Sequence, residues 1–174
     1  LTLSFRWKAT LLRLQGGWQG AREFSDRGLA VEPREVALLG ERVLLEYEVG
    51  DFDQGEAYLE RLLATIPPAA ARPGVEYAFP AAIIPWVGRI TGVLDRLDIA
   101  AKAARAVISS PFANPNFATY ARVGLGLLAV LRDDAAGGFG RNIQPTRAIE
   151  IAFGIEDATV LEHVLIRRRR FPAR

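Results

Sequence analysis

The chain contains no cysteine among its 174 residues. Because thiolates form disulfides, act as cysteine nucleophiles and hold zinc in cysteine sites, all three are excluded. The single histidine, His163, also excludes a metal cluster built on several histidines. We interpret His163 as an ordinary helix-surface residue beside Glu162. With no credible nucleophile or acid–base set in the sequence, we expect a protein that is not an enzyme and needs no metal or cofactor.

Methionine is also absent, even at position 1, and the opening LTLSFRW is therefore interpreted as that of a fragment or a processed product. Arg6 and Lys8 interrupt any early apolar core of the kind that a signal peptide requires. No apolar run reaches the roughly 18 residues of a transmembrane helix. We therefore expect a cytoplasmic protein without a membrane partner.

The composition is that of an ordinary globular domain, with 50% hydrophobic and 24% charged residues. Its length suits one domain that is large enough to bury a core. The formal net charge of +2 is too small to imply nucleic-acid binding by itself. Composition thus favours a compact domain without indicating a ligand.

One stretch, LQGGWQGAREFSDRGLAVEP at positions 14–33, returns 34 residues later as VGDFDQGEAYLERLLATIP. Five positions recur at this spacing, which chance rarely supplies. The pairs are Gly16 and Gly50, Trp18 and Phe52, Ala21 and Gly55, Leu29 and Leu63, and Pro33 and Pro67. A period of this length predicts repeated helix–turn–helix units.

Each recurring residue type suits one place in a helical hairpin. The repeated glycine follows a helical run, where a left-handed C-terminal cap favours it. The repeated aromatic ring begins the next helix and is placed to wedge between the two helices. The repeated small residue permits a close helix crossing, and the repeated proline ends the unit. The pattern therefore predicts two similar antiparallel hairpins.

The repeats resemble the tetratricopeptide family, with the better match in the second helix and the turn. The first helices depart from the family pattern Trp-x-x-Leu-Gly-x-x-Tyr. Here the matching positions are Phe5, Lys8, Ala9 and Leu12 in the first repeat, and Leu39, Arg42, Val43 and Glu46 in the second. The resemblance implies an all-α fold of about three to three and a half antiparallel repeats, stacked as a short right-handed α-solenoid. The alternative is a helical bundle whose hairpins look alike by accident.

Periodicity and punctuation predict eight helices along the chain. In the first, Leu3, Trp7, Leu11 and Leu14 form an apolar stripe. The fifth contains Pro80 and Pro85, each expected to kink it or delay its start. The predicted helices span 2–14, 19–31, 34–49, 51–65, 75–93, 98–109, 116–131 and 158–169, with Asp51 as the N-cap of the fourth. A turn is expected at 132–134.

A third copy of the repeat's second half is predicted at Leu97, Ala100 and Ala104, where the spacing from the previous copy has stretched from 34 to 45 residues. The period is lost after residue 136. We therefore divide the chain into a helical repeat domain at 1–136 and a tail at 137–174, with a Gly-rich connector and a C-terminal helix. One hypothesis is that this tail is read out of register from a disrupted gene.

The tail holds two features that resemble ligand sites. Gly137, Gly138 and Gly140 lack the lysine and Ser/Thr of a phosphate-binding loop, so a flexible connector is the better interpretation. Arg167, Arg168, Arg169 and Arg170 form a cationic run that would suit phosphate or an acidic partner. We favour a solvated terminus for this run, and nucleic acid remains a weak alternative.

A second, narrower resemblance covers roughly residues 5–136. The stretches EYAFPAAIIPWVGRITGVLDRLDIA and YARVGLGLLAVLRDDAA are similar to the tetratricopeptide-like arm of large bacterial signalling ATPases of the adenylate-cyclase-like or LuxR-type regulators. The resemblance implies an arm that binds partners or inducers beside a nucleotide-binding region. No phosphate loop of that region occurs in this chain.

We therefore expect a non-catalytic scaffold that binds a protein or peptide through its first helices. Candidate groove residues are Arg6, Arg13, Glu41, Arg42 and Glu48. The alternative is a ligand-sensing module with a small-molecule pocket near Pro80–Trp86. An enclosed apolar cavity beside Trp86 would favour the module, and an open groove would favour the scaffold.

Overall fold

The computed structural model describes residues 2–67 and 73–135. These two stretches form seven α-helices and no β-strand, which confirms the all-α prediction for this part of the chain. The helices are α1 (Thr2–Leu14), α2 (Trp18–Val31), α3 (Val36–Val49), α4 (Phe52–Leu63), α5 (Val75–Thr91), α6 (Leu97–Ser109) and α7 (Pro115–Ala135).

Consecutive helices pack as antiparallel hairpins. Gly28 near the end of α2 lies close to Phe5 near the start of α1, because a Cβ atom on Gly28 would stand 3.1 Å from the Phe5 Cβ. In the next pair, the Tyr47 ring late in α3 lies 5.7 Å from the Phe52 ring at the start of α4. Helices α5 and α6 also pack together across a short connection. The described chain thus contains three hairpins, followed by α7.

Each hairpin packs against the hairpin that is next in sequence. Helix α3 contacts both α1 and α2, helix α5 contacts α3 and α4, and helix α7 contacts α5 and α6. One continuous hydrophobic core runs through these junctions, from Leu29 in α2 to Leu131 in α7. The first helices α1, α3, α5 and α7 therefore lie side by side in chain order.

Three glycines with positive φ follow the first three of these helices. Gly16 has a φ of 78°, Gly50 of 83° and Gly92 of 74°. This left-handed conformation suits glycine because it has no Cβ to clash with the backbone. The third glycine departs from the 34-residue spacing because the α4–α5 connection is longer than the α2–α3 connection and α5 is longer than α3. A glycine in the left-handed conformation therefore follows each of these three helices.

The recurring small residues lie at helix crossings. Ala21, Ala100 and Ala104 are buried. A Cβ on Gly55 would stand 2.8 Å from the Tyr47 ring, so α3 and α4 require glycine there to approach so closely. Leu97 is also buried, and Pro33 and Pro67 follow the ends of α2 and α4. The recurring rings are more exposed: Trp18 is 39% and Phe52 is 51% exposed, so neither ring is enclosed between the helices of its hairpin.

The helix prediction is corrected in α7 and in α5. The turn expected at 132–134 is wrong, because α7 continues to Ala135. No proline or glycine interrupts this turn of helix, and Arg132 pairs with Asp98 of α6 at 2.5 Å. In α5 the helix begins at Val75, ahead of Pro80 and Pro85, so neither proline delays its start. Both prolines are fully buried.

Asp51 caps α4 as predicted, since its carboxylate accepts a hydrogen bond from the Gln54 N–H at 3.4 Å. Glu35 caps α3 in the same way through the Leu38 N–H, so this helix starts at Val36 instead of Arg34. The tail at 137–174, with its Gly137–Gly140 connector, His163 and the arginines 167–170, lies outside the described residues.

Candidate functional site

A groove of about 380 Å³ crosses the first helices. We call it the first-helix groove, because every residue that lines it comes from α1, α3, α5 or α7. The lining residues are Arg6, Trp7, Thr10, Arg13, Glu41, Leu44, Glu48, Phe79, Ala82, Ile83, Trp86, Tyr120 and Val123. The side-by-side packing of the first helices is what brings these residues, up to 117 positions apart in the sequence, to one surface.

The wall of the groove is aromatic and open to solvent. Trp7, Tyr120 and Val123 are each roughly half exposed, and Trp86 is partly buried. The Phe79 and Tyr120 rings lie 5.4 Å apart and join α5 to α7. Aromatic side chains with large exposed areas are typical anchors of protein interfaces. The groove thus offers apolar area that an extended peptide or a helix can cover.

An ion cluster ties the α1 side of the groove to α3. The Arg13 Nε donates a hydrogen bond to Glu41 at 3.1 Å, and another guanidinium nitrogen of Arg13 donates to Glu48 at 2.7 Å. Burial acts to lower the pKa of Arg13, but the two carboxylates outweigh burial and raise it. Arg13 therefore remains a cation that holds two acidic side chains in fixed positions.

Arg6 differs from Arg13 because no carboxylate in the described part of the chain lies within ion-pair distance of it. Its guanidinium instead stacks over the Trp7 ring, 4.8 Å from the ring centroid. A cation placed on an exposed ring at the groove edge is available to an anionic group of a ligand. Arg6 is thus the lining residue best placed for such a contact.

Arg42, the fifth predicted groove residue, does not lie in the groove. It is 5% exposed and faces α2, where it bonds Asp26 and Ser25. It also pairs at 2.8 Å with Glu46, whose side chain is fully buried. Arg22 completes the cluster by pairing with Glu46. The charged residue at 46, which departs from the family pattern, is therefore part of a buried ion network between α2 and α3.

Four of the five predicted residues, Arg6, Arg13, Glu41 and Glu48, come together in the groove. The aromatic wall was not predicted as part of it. Phe79, Ile83 and Trp86 follow a helical spacing of four and three residues, which places them on one face of α5. That spacing was a signal in the sequence, although it could not show that α5 lies beside α3.

A second cavity, of about 280 Å³, lies between the second and third hairpins. The hydrogen bond and charge of Arg96 lower the pKa of Glu56, although burial opposes this shift. Burial and the neighbouring Glu56 raise the pKa of Tyr47 to about 12. The Tyr47 hydroxyl donates to Glu56 at 3.2 Å. The polar side chains of Tyr47, Glu56 and Arg96 therefore satisfy one another.

Within residues 2–67 and 73–135, no group of three or more His, Asp or Glu side chains is arranged to hold a metal ion. No helix in these stretches combines the length and the apolar character needed to cross a membrane.

Comparison with known proteins gives no match to a family model, to a curated protein or to a solved structure.

Proposed function

We propose that the chain is a non-catalytic interaction scaffold that binds a segment of a protein partner in the first-helix groove. The proposal depends above all on one observation, which is that four helices distant in sequence line one solvent-open groove with aromatic walls. A surface of this form buries the side chains of a peptide or helix without a preformed small-molecule cavity.

The packing order supports a tetratricopeptide-like architecture as part of this proposal. Each hairpin contacts its sequence neighbour, and the first helices lie adjacent to one another. A hairpin cannot bury its apolar face alone, so stacking supplies both the core and a continuous binding surface. In this interpretation the hairpins form a short right-handed α-solenoid, with the groove on its inner side.

The groove chemistry favours a ligand segment with one or two apolar anchors and a nearby acidic residue. Trp86, Phe79 and Tyr120 supply contact area for the anchors, and Arg6 supplies a cation without an ion-pair partner among the described residues. Arg13 is already neutralised by Glu41 and Glu48. We therefore expect Arg6 to contribute more than Arg13 to recognition of an acidic side chain.

The similarity of the α5–α7 sequence to the arm of bacterial signalling regulators supports a narrower proposal. In this version the chain is the partner-binding arm of a larger cytoplasmic regulator. A ligand-sensing module near Pro80–Trp86 is the competing function. The half-exposed side chains around Trp86 favour a partner segment over a small enclosed ligand.

The experiment is a selection of binding peptides from a random display library, followed by affinity measurements with groove variants. Trp86→Ala should weaken a selected peptide about 30-fold, as expected for an aromatic anchor worth about 2 kcal/mol. Arg6→Gln should weaken peptides that contain an acidic residue and should reduce their salt dependence.

Trp18→Ala is the matched control, because Trp18 is a partly exposed tryptophan on α2 that does not line the groove. The Trp18→Ala variant should bind the selected peptides with the affinity of the wild type. If no peptide is selected, or if Trp86→Ala and Trp18→Ala bind equally well, the groove is not the interaction site.

A further inference from the structure

The apolar stripe predicted on α1 is not covered by the described protein. Leu3, Trp7, Leu11 and Leu14 are between 54% and 70% exposed. Their spacing of four, four and three residues places them along one face of the helix. Of the four, only Trp7 also lines the first-helix groove. The stripe is therefore a separate apolar surface that continues from the groove edge.

The equivalent face of α3, one repeat later in the sequence, is covered by the preceding hairpin. A shift of 34 residues converts the stripe into Ala37, Glu41, Leu45 and Glu48 of α3. In α3 these positions face the preceding hairpin: Ala37 and Leu45 are buried, and both glutamates pair with Arg13 of α1.

The surface that receives α3 is the inner side of the first hairpin. Leu45 and Glu41 lie against Ala9 and Arg13 of α1 and against Ala21 and Ser25 of α2. A helix of this repeat is thus built to dock between the two helices of a hairpin. The equivalent face of α1 has the apolar character for the same contact, with larger side chains.

The charges beside the stripe indicate which charge a partner surface should carry. Arg6 borders one edge and Lys8 the other, and α1 contains no acidic residue. Neither cation has a carboxylate within ion-pair distance among the described residues. Two copies of the chain that paired through α1 would bring these cations together, which disfavours a symmetric dimer. Acidic side chains along the borders would complement both.

We propose that the α1 stripe docks a helical hairpin of a partner protein, one that has small and apolar residues on its inner face and acidic residues along its borders. The partner hairpin takes the position on α1 that the α1–α2 hairpin takes on α3. This contact adds one further layer to the stack and shares Trp7 and Arg6 with the edge of the first-helix groove.

The probe is a designed two-helix hairpin of about 34 residues, the repeat length, with alanine and leucine inside and glutamates along the borders. Binding to the full chain is measured by isothermal titration calorimetry. Leu3→Gln/Leu11→Gln should weaken the hairpin at least about tenfold, whereas Val93→Gln/Ile99→Gln changes two exposed apolar residues elsewhere and should have no effect. Lys8→Gln should reduce the salt dependence.

The stripe variants alter exposed positions, and circular dichroism verifies that they fold. Trp86→Ala should leave hairpin binding unchanged, so this result is independent of the groove proposal. The proposal is overturned if the hairpin does not bind or if both double variants bind it equally. It is also overturned if the chain dimerises through the stripe in sedimentation experiments, or if the stripe binds vesicles of anionic phospholipid in preference to the hairpin.

Discussion

Gly124 of α7 lies against the carbonyl oxygen of Ala81 in α5, so closely that a Cβ atom on Gly124 would stand 2.0 Å from that oxygen. Ala81 is four residues before Pro85, which has no N–H to donate to it. The carbonyl without its usual helical donor is therefore the one that α7 covers. This contact holds α5 and α7 together at one end of the groove, next to Tyr120 and Val123.

Replacing Gly124 by alanine should destabilise the protein by about 3 kcal/mol, because the new methyl group meets backbone atoms that cannot rotate away. Gly20→Ala is the matched control. Its Cβ would meet only the Leu12 side chain, at 3.1 Å, and alanine favours a helix by up to about 1 kcal/mol. Urea unfolding monitored by circular dichroism compares the two variants. Equal stability of both would show that α5 and α7 do not pack as described.

The stability of the protein should depend on each charge of the buried ion network between α2 and α3. Glu46→Gln removes the carboxylate shared by Arg22 and Arg42 and leaves the Arg42 guanidinium buried with less compensation. We expect a loss of about 3 kcal/mol in the free energy of unfolding. Asp98→Asn removes an ion pair of an almost fully exposed carboxylate and should have no measurable effect. Similar losses in both variants would contradict the assignment of Glu46 to a buried network.

The Glu56–Arg96 pair should make stability depend on pH in the acid range. Arg96 lowers the pKa of folded Glu56 below its ordinary value of 4.5, so folding favours the ionised carboxylate. The resulting stability is present above pH 4.5 and is lost as pH falls through the lowered pKa.

Unfolding free energies measured between pH 7 and pH 3 test this dependence, with the wild type compared to Glu56→Gln. The difference between the two proteins should shrink as the pH falls. Arg96→Gln should also differ less from the wild type as the pH falls, and it removes the Arg96–Glu60 pair at 2.5 Å together with the Glu56 pair. A constant difference across the range would mean that the pair does not contribute to folding.

The local punctuation of the chain predicted most of the helices. Gly16 and Gly50 marked the ends of α1 and α3, and Asp51 marked the start of α4, because caps depend on residues adjacent in sequence. The turn predicted at 132–134 was wrong. Two consecutive aspartates are typical of turns, and the sequence did not show that they lie at the end of a long helix.

The site was less predictable, since it depends on contacts between distant residues. Glu41 and Arg42 are neighbours in sequence, yet one lines the groove and the other is buried against α2. The sequence predicted the helix α3 but not which of its faces points into the groove. The contact between Gly124 and Ala81 joins residues 43 positions apart, and no repeat connects them.

The most direct test of the scaffold proposal maps a selected peptide onto the helices by NMR. Backbone amide shifts of the isotopically labelled protein are followed while the peptide is added. Changes are expected on α1, α3, α5 and α7 around Trp86 and Tyr120, with α2, α4 and α6 largely unaffected. Changes concentrated on α2, α4 and α6 would contradict the proposal that the first-helix groove is the docking surface.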